Sequence, residues 1–399
     1  MNRLHIAIVG AGLGGLALAQ ALKRAGIAFD VFESDHALNS RPQGYRIRID
    51  AQGQRALTQA LSPALYKLFQ ATASSSANSG KFLTPDLEPT PGRAPESWHA
   101  DADCMEDGAM VEDMSVDRGI LREILMCGIE NHVHFGRGLE HYFLTNEGCV
   151  GATFGQDAGI ATFDVLIGAD GVNSRVRSQL APSAEPIGTE AVCFYGKTET
   201  RRLGGGSAAL EGTNVVFADG FAIILDQMQF AHAPDEADAL AEFGCRITPV
   251  SDYHYWCVIG PSTRFGMEPG SRAKAQQIRR MLASLTADWH PLLQRVLLQC
   301  EDSDMAMLPV RSGRLEVPWP TGPVTLLGDA VHAMTPAGGL GANTALGDAA
   351  ALARAIFKAD RGALSVSHAL AEYESEMRER AGKAVETSNR GAAKLFEPE

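Results

Sequence analysis

Three glycine-rich segments carry the residues of this chain that could hold a ligand, and they lie far apart in the sequence. They are GAGLGG at 10–15, DVLIGADGVNSRVR at 164–177 and GDAVHAMTPAGGLGAN at 328–343. Glycine lets the backbone approach a ligand closely, and the free N–H groups at a helix start bind phosphate. A carboxylate beside such a loop can accept hydrogen bonds from sugar hydroxyls. Together the segments indicate one ligand with phosphate and polyol groups.

The first segment has the strand, turn and helix context of a dinucleotide-binding motif. Residues 4–9 (LHIAIV) form an apolar run typical of a buried parallel strand, and the stretch after the glycines has helical composition. Its glycines permit a tight turn, close approach to a pyrophosphate and close helix packing. Glu33 ends the next predicted strand, where it can bind an adenosine ribose. The residues predicted to bind the ADP part of a cofactor are Gly10, Gly12, Leu13, Gly14, Gly15 and Glu33.

The third segment predicts close backbone beside a flat ring. A strand at 324–327 leads into Gly328 and Asp329, the loop 336–341 has little side-chain bulk, and a helix is predicted over 343–357. The helix start can stabilise negative charge on the ring, and Asp329 can accept hydrogen bonds from a polyol. The residues of this segment predicted to bind the cofactor are Asp329, Pro336, Gly339, Gly341, Ala342 and Asn343.

Two residues in these segments have a functional and a structural interpretation. His332 could carry a proton, although a histidine in a strand-to-helix turn is often a structural hydrogen-bonding residue. Asp170 follows the apolar strand VLIGA and precedes Gly171, so it could bind the cofactor or form a turn. The sequence leaves both alternatives open.

Composition describes an ordinary globular protein with no nucleic-acid or membrane character. The chain has 399 residues, of which 45% are hydrophobic and 21% charged, and this length suffices for two domains. The net charge of −13 argues against a nucleic-acid partner. No apolar run is long enough for membrane insertion. We expect a monomer or a homodimer that takes a small molecule.

The cysteines and the N-terminal residues indicate in which cellular compartment the protein is located. The seven cysteines are scattered without a CxxC pair, which predicts reduced thiols and no metal site. The triplet 17–19 (ALA) resembles a signal-peptide cleavage site. The three-glycine spacing instead favours a nucleotide-binding strand that stays part of the folded protein. A cytoplasmic location is therefore expected.

The three segments resemble the signatures of the FAD-dependent aromatic hydroxylases, the single-component flavin monooxygenases of the p-hydroxybenzoate hydroxylase group. GAGLGG with Glu33, DVLIGADGVNSRVR and GDAVHAMTPAGGLGANTALGDAAALA occur in the same order along this chain. The resemblance implies that the first segment and Glu33 hold the ADP half of FAD. It implies that Asp329 binds the ribityl chain and that residues 338–343 face the isoalloxazine. It also places Arg41, Arg46, Arg118 and Asp170 among the cofactor-binding residues, with the segment around Asp170 in transient contact with NAD(P)H.

The resemblance implies a reaction as well. NADH or NADPH binds transiently and reduces FAD, and reduced FAD reacts with O2 to a C4a-hydroperoxide that delivers one oxygen atom to the substrate. The protein must keep water away from that intermediate. Residues 41–49 and 53–57 look closest to the branch of tetracycline-inactivating monooxygenases and natural-product hydroxylases, although that branch has a second glycine where this chain has Tyr45. The expected substrate is an aromatic or polycyclic small molecule.

Two other functions would keep the same cofactor. A flavin-dependent reductase or dehydrogenase on this fold would consume NAD(P)H without inserting oxygen. A non-catalytic flavin-binding protein would retain FAD without substrate-stimulated NAD(P)H oxidation. The loop GGLGAN at 338–343 disfavours the second alternative, because a protein that only binds FAD does not need close backbone beside the ring.

The elements that must position these motifs predict an α/β fold. A Rossmann-like (GR2-type) FAD-binding domain is predicted from residues 1–72, 110–182 and 306–360. A mainly antiparallel substrate domain is inserted at 183–305, with strands at 191–198, 214–218, 221–225, 245–249 and 253–259 and a helix at 273–285. Residues 73–109 form a loop-rich excursion, and 361–399 a C-terminal helix.

No general base stands out in the predicted substrate domain. His254, Tyr255, Arg201 and His232 could line a cleft between the domains, but each could equally be a sheet-surface or core-edge residue. Aromatic side chains on the predicted strands could line the same cleft or simply pack in the core; they are Phe217, Phe221, Phe230, Tyr253 and Trp256. The catalytic residues are thus unknown from sequence, with His332 as the remaining weak candidate.

Overall fold

The computed structural model describes residues 3–38, 40, 45–75, 80–91, 112–155, 159–204, 206–230 and 245–396. The strands are β1 His5–Val9, β2 Ala28–Glu33, β3 Arg46–Ile49, β4 Gly80–Leu83, β5 Met114–Asp117, β6 Val133–Phe135, β7 Leu139–Leu144, β8 Val150–Phe154, β9 Ala161–Phe163, β10 Val165–Gly168, β11 Ile187–Glu199, β12 Thr213–Ala218, β13 Phe221–Met228, β14 Tyr253–Pro261, β15 Ala306–Ser312 and β16 Val324–Leu326. The α-helices are α1 Leu13–Ala25, α2 Ala51–Ala60, α3 Pro63–Ala71, α4 Arg118–Met126, α5 Arg175–Leu180, α6 Thr200–Leu203, α7 Ala275–Leu285, α8 Pro291–Leu298, α9 Asp329–His332, α10 Gly341–Asp360 and α11 Val366–Phe396.

A five-stranded parallel sheet carries all three glycine segments. Its strand order is β16, β10, β1, β2, β6, and β1 is buried along nearly its whole length, as an apolar run in a parallel sheet should be. Gly10 leaves β1 with φ 109°, and a side chain there would collide with the carbonyl of Ala169 after β10. The first two segments therefore meet at the carboxyl edge of the sheet.

The third segment reaches the same edge through β16. The amide of Leu327 donates to the carbonyl of Gly168 at 2.9 Å, which continues the ladder between β16 and β10. A side chain at Gly14 would crowd the Leu327 side chain, so α1 packs directly over the end of β16. The helix α10 lies against α1 and α2. All three segments thus converge, as the sequence predicts.

A second, larger sheet has six strands. Its order is β15, β11, β14, β13, β12, β4, and every neighbouring pair is antiparallel except β12 and β4. The strands β4 and β15 come from ranges that the sequence assigns to the loop-rich excursion and to the FAD-binding part. Both extend this sheet. The domain boundaries themselves stay a prediction, and residues 76–79 and 92–109 of the excursion lie outside the described residues.

The two faces of this sheet have different neighbours. We call the far face the side on which Phe194, Ile223, Leu225, Trp256 and Val258 pack against α7 and α8. We call the near face the side on which Phe82, Val215, Phe217, Ile224, Ile259 and Val310 pack with Ala337 of the third segment and Leu395 of α11. The alternation of β-strand side chains separates the two sets. The near face therefore looks toward the third glycine segment.

One predicted strand is wrong. Residues 245–249 are not a strand, although they have the composition of one. They lie against α4, where the Glu123 carboxylate accepts hydrogen bonds from the amide and the hydroxyl of Thr248, both at 2.6 Å. A disulfide also joins Cys245 to Cys127 at the end of α4, so the expectation of seven reduced thiols is wrong as well. The Thr248 amide thus has a tertiary partner, and no described strand pairs with this segment.

The remaining elements complete an α/β fold as predicted. Two small antiparallel sheets, β3 with β5 and β7 with β8 and β9, flank the parallel sheet. The helix α11 begins at Val366 and occupies most of the predicted C-terminal helical range. Among the described helices, none combines the length and the apolar character needed to span a membrane.

Candidate functional site

The start of α1 has the properties of a phosphate site. Gly12 caps the helix with extended backbone (φ −76°, ψ 179°), no side chain caps it, and its first turn has no acidic residue. No atom lies within 4 Å of the place where a Gly12 side chain would begin. At Gly15, by contrast, a side chain would collide with the carbonyl of Gly10. The open space at Gly12 and the uncapped N–H groups fit an anion such as a pyrophosphate.

Glu33 lies beside this helix start. Its carboxylate accepts hydrogen bonds from the amide of Ala11 at 2.8 Å and from the amide of Asp35 at 2.8 Å. It is buried, with 7% of its surface exposed. The end of β2 therefore holds an oriented carboxylate next to the phosphate site, where a ribose would lie.

Arg122 is a residue of this region that the sequence analysis missed. Its guanidinium donates to the carbonyl of Ala11 at 3.0 Å and to the carbonyl of Leu38 at 2.7 Å. It stands one helical turn after Arg118, which the resemblance selects, so the same RGILREIL stretch could have pointed to it. Arg122 fixes the glycine turn from the side opposite Glu33.

Two of the predicted arginines, Arg118 and Arg46, lie on α4 and β3. Arg118 is half-buried at the first turn of α4, and its amide donates to the carbonyl of Tyr45 at 2.6 Å. Arg46 forms an ion pair with Asp226 on the near face and donates to the Ser115 hydroxyl at 3.1 Å. Arg41 lies outside the described residues. Of these, Arg46 links β3 to the six-stranded sheet.

The third segment forms a second anion-compatible surface. The helix α10 begins without a side-chain cap and without an acid in its first turn. Asp329 is exposed, and no group among the described residues donates a hydrogen bond to its carboxylate. Gly339 has φ 63°, a left-handed conformation that favours glycine. An added side chain at Gly341 would lie 3.9 Å from Asp329 Oδ1, so the free carboxylate and the helix start are neighbours.

Asn343 holds this loop to the rest of the molecule. Its side-chain amide donates to the carbonyl of Arg48 at 2.9 Å and accepts from the amide of Asp50 at 3.2 Å. Gly53 packs so tightly on Asn343 that any side chain there would collide with it. Pro336 opens the short turn before Gly339, and Ala342 packs against the main core. These residues give the loop its shape.

His332 belongs to a buried ionic network. Its Nε2 lies 2.6 Å from Asp348 Oδ2, and Arg380 donates to the other carboxylate oxygen at 2.7 Å. Burial alone would lower the pKa of His332, but the Asp348 carboxylate outweighs it and the pKa is raised. Burial would raise the pKa of Asp348, but His332 and Arg380 hold it below its ordinary value. Asp348 also accepts from the amide of Gly328, so the network fixes the turn before Asp329.

Asp170 caps a helix. Its carboxylate accepts from the amide of Arg175 at 2.7 Å and from the hydroxyl of Ser174, at the start of α5. Burial raises the pKa of Asp170 above its ordinary value. The geometry favours the structural interpretation of this residue.

A row of polar side chains crosses the near face. Asp226 of β13, Tyr255 of β14 and Lys197 of β11 are directly opposite one another in the antiparallel register. Burial raises the pKa of Tyr255 well above its ordinary value, so its hydroxyl stays protonated. Lys197 Nζ lies 4.8 Å from the centroid of the Tyr45 ring. Two thiols, Cys193 and Cys257, lie 3.2 Å apart on the same face.

The other candidate residues from the substrate domain lie elsewhere. His254 faces away from the near face, its Nδ1 lies 3.3 Å from the Thr200 hydroxyl, and burial lowers its pKa to about 4. Arg201 is exposed and pairs with Glu199. Phe221 and Trp256 pack on the far face. Tyr253 and Phe217 belong to the near side, and His232 lies outside the described residues.

The geometry of the site suits a dinucleotide cofactor that carries a flat ring. The α1 start offers open space and free N–H groups at one end, and Asp329 and the α10 start offer a free carboxylate and backbone at the other. Both lie at the carboxyl edge of one parallel sheet, where ligands of open α/β sheets bind. FAD fits these two ends.

Comparison with known proteins supports this assignment. The family model described as FAD binding domain matches residues 207–388, and the model described as NAD(P)-binding Rossmann-like domain matches residues 8–70. The dual O-methyltransferase/FAD-dependent monooxygenase of Cercospora beticola is 32% identical over 98% of this chain. The match covers 46% of that protein, so the chain spans about half the length of this relative.

Other relatives match over most of their length. The 6-methylsalicylate 1-monooxygenase of Aspergillus terreus is 27% identical, with 99% of this chain and 83% of that protein covered. The aurachin C monooxygenase/isomerase of Stigmatella aurantiaca is 27% identical, with 97% and 88% covered.

Solved structures share the fold. A protein of Photorhabdus luminescens described as an FAD-containing monooxygenase superposes with a TM-score of 0.77 at 25% identity, covering 98% of both chains. The Klebsiella pneumoniae HpxO protein, solved with FAD and uric acid, superposes with a TM-score of 0.72 at 20% identity over 98% of this chain and 89% of that one. The second likeness shows the fold alone. Taken with the sequence relatives, these findings mean that the chain carries an FAD-binding domain and is similar over nearly its whole length to FAD-dependent monooxygenases.

Proposed function

We propose that this chain inserts one oxygen atom from O2 into an aromatic small molecule, with FAD as bound cofactor and NADH or NADPH as transient electron donor. The observation that carries the proposal is the position of Ala337. It packs with Phe217, Ile224 and Val310 of the near face, so the loop predicted to lie beside the flavin ring adjoins an apolar sheet surface. A flat substrate bound beside this contact would be held next to the reacting ring.

Each end of the cofactor has a proposed partner. The α1 start would bind the pyrophosphate, because its N–H groups are uncapped and Gly12 leaves room. Glu33 would bind the ribose. Asp329 would accept hydrogen bonds from the ribityl hydroxyls, and the α10 start would stabilise negative charge on the ring.

Bound and reduced, FAD supplies the oxygen chemistry: it activates O2, one oxygen atom enters the substrate and the other leaves as water. The chain itself must orient the substrate and exclude water from the ring. Apolar near-face side chains such as Phe82 and Phe217, which are 7% and 8% exposed, supply that dry wall. The buried His332 holds no substrate in this scheme; it fixes the turn before Asp329.

The substrate class follows from the surface and from relatives. The near face carries three tyrosines, Tyr195, Tyr253 and Tyr255, beside its aliphatic side chains. A relative that matches nearly the whole chain is named for 6-methylsalicylate, an aromatic hydroxy acid. An aromatic natural-product-like molecule suits such walls.

The test is an oxidation screen with isotope-labelled oxygen. Purified FAD-loaded protein is given NADH or NADPH and a panel of phenols, indoles, quinolones and polyketides under ¹⁸O2. We expect substrate-stimulated NAD(P)H oxidation and a product heavier by one labelled oxygen atom. Coupled NAD(P)H consumption without label in any product would favour the flavin reductase instead, and a protein that refuses FAD would exclude both.

A further inference from the structure

Among the described residues of the near face, Lys197 is a cation that forms no ion pair. It stands opposite Tyr255 in the polar row, and Tyr255 stands opposite Asp226. Asp226 is 3% exposed and already pairs with Arg46. It also accepts a hydrogen bond from the Ser115 hydroxyl at 3.0 Å. Within the described residues the ammonium group of Lys197 has no carboxylate partner.

Aromatic rings surround this ammonium group. Lys197 Nζ lies 4.8 Å from the centroid of Tyr45 and 5.5 Å from that of Tyr253. The hydroxyls of both tyrosines are engaged elsewhere, Tyr253 with Asp117 at 2.8 Å and Tyr45 with Asp304 at 3.4 Å. The Lys197 ammonium group lies over the faces of both rings, and the face of an aromatic ring attracts cations. They also remove part of the water that would otherwise solvate its charge.

The charge and the rings define a ligand. Lys197 is half-buried, and a carboxylate or phenolate would give its ammonium group the anionic partner that the described residues do not supply. The neighbouring Tyr195, whose ring centroid is 6.3 Å from that of Tyr45, extends the flat apolar walls. An aromatic ring bearing one oxyanion matches both features.

We propose that Lys197 binds a singly charged oxyanion, phenolate or carboxylate, on the aromatic ring of the substrate. The proposal rests on the proposed monooxygenase function and narrows its substrate class to anionic aromatics. With a phenol, the O–H bond breaks as the substrate enters the site, the proton passes to bulk solvent and the electron pair stays on the oxygen beside Lys197. The ring then becomes electron-rich, as attack on an electrophilic oxygen requires. This accounts for a site without an evident general base, since the cation favours the ionised substrate.

The first experiment measures charge preference by equilibrium dialysis with the FAD-loaded protein. The probes are 2-naphthoate, 2-naphthol and the neutral 2-naphthalenemethanol. We expect K197M to lower the preference for the anionic over the neutral probe by roughly tenfold, and K197R to retain most of it. The control is K81M, which removes the same charge from an exposed position on β4 of the same sheet. A ratio of affinities is unaffected by a general loss of packing.

A pH series separates the two oxyanions. A carboxylate site prefers 2-naphthoate over the neutral probe at every pH at which the carboxylate is ionised. A phenolate site lowers the pKa of bound 2-naphthol, seen as phenolate absorbance at lower pH in wild type than in K197M. Either result supports the proposal. The proposal for Lys197 is overturned if wild type shows no preference for an anion, or if K197M keeps the wild-type preference. Failure of the wild-type protein to hold FAD would instead reject the monooxygenase function itself.

Discussion

Gly12 begins α1 with backbone that any residue can adopt, and the space beyond its Cα is open. We therefore expect Gly12→Asp to fold normally while its carboxylate fills and repels the pyrophosphate site, so that FAD binding weakens by roughly a hundredfold. Titration of the apoprotein with FAD and a thermal melt measure the two effects separately. The control is Gly188→Asp on the exposed part of β11, where a side chain also meets nothing within 4 Å. Equal FAD affinity of the two variants would exclude Gly12 from the site.

Asp329 offers an exposed carboxylate with no donor among the described residues. Asp329→Ala should weaken FAD binding by about 1.5–3 kcal/mol, the usual worth of a hydrogen bond to a charged group. Folding should change little, because no described group donates a hydrogen bond to this carboxylate, and its charge adds less to the raised pKa of His332 than Asp348 does. Asp288→Ala, at an exposed loop position, is the control. Unchanged FAD affinity of Asp329→Ala would assign the ribityl chain to another group.

The residues that sequence could identify are those whose chemistry is local. Glu33 is set by its spacing from the glycines within one β1–α1–β2 unit, and it lies where expected. Arg46 shows the opposite case, since its partner Asp226 is 180 positions away on another sheet and no local pattern reveals it. Lys197 is missed for the same reason. Its neighbours come from β14 and from the residue before β3, and only the folded register brings them together.

At the scale of elements, the turn between β16 and α9 is held by ionic contacts with α10 and α11. The Asp348 contribution to stability is present above its ordinary pKa of about 3.9 and is lost as pH falls through the lowered folded value. The His332 contribution is full below its ordinary pKa of about 6.5 and is lost as pH rises through the raised folded value. The pair therefore stabilises the fold most between about pH 4 and pH 6.5.

We expect Asp348→Asn to reduce the free energy of unfolding by about 3–5 kcal/mol near pH 5.5, because it leaves the buried His332 and the half-buried Arg380 without their counter-ion. Urea unfolding across pH measures this, and the variant should also lose much of the wild-type pH dependence. The surface pair His368 and Glu372 on α11 provides the control, and His368→Gln should change little. Equal stability curves for wild type and Asp348→Asn would remove the network from this role.

Elements with a strong internal pattern were predictable, and elements defined by distant partners were not. The strands β12 and β14 have alternating or continuous apolar residues, and both are found where the pattern places them. Residues 245–249 have the same composition but bind Glu123 and Cys127 of α4. The strand β15 joins the six-stranded sheet after a long helical excursion through α7 and α8. Which sheet a strand joins is decided by tertiary packing.

At the scale of the whole molecule, one sheet serves two purposes. Its far face packs against α7 and α8, while its near face adjoins the third glycine segment. Each face has a comparable pair of aromatic rings in edge-to-face contact. Phe82 and Phe217 lie 5.3 Å apart on the near face, and Phe194 and Phe265 lie 5.0 Å apart on the far side. Because the two pairs are alike, a variant on the far side measures the effect of lost packing alone. A variant on the near face measures lost packing together with any loss of the dry substrate site.

We therefore expect Phe217→Leu to keep FAD but to oxidise NAD(P)H with less product and more hydrogen peroxide, because a gap in the near-face wall admits water to the ring. Phe265→Leu should cost a similar amount of stability, well below the 3–5 kcal/mol of a truncation to alanine, without changing that coupling. The measurements are NAD(P)H consumed, product formed and peroxide released with a substrate found in the screen. If both variants lose coupling of NAD(P)H oxidation to product formation equally, this coupling depends on overall stability, and the near face has no specific role in excluding water. If neither does, the oxygen chemistry takes place away from this sheet.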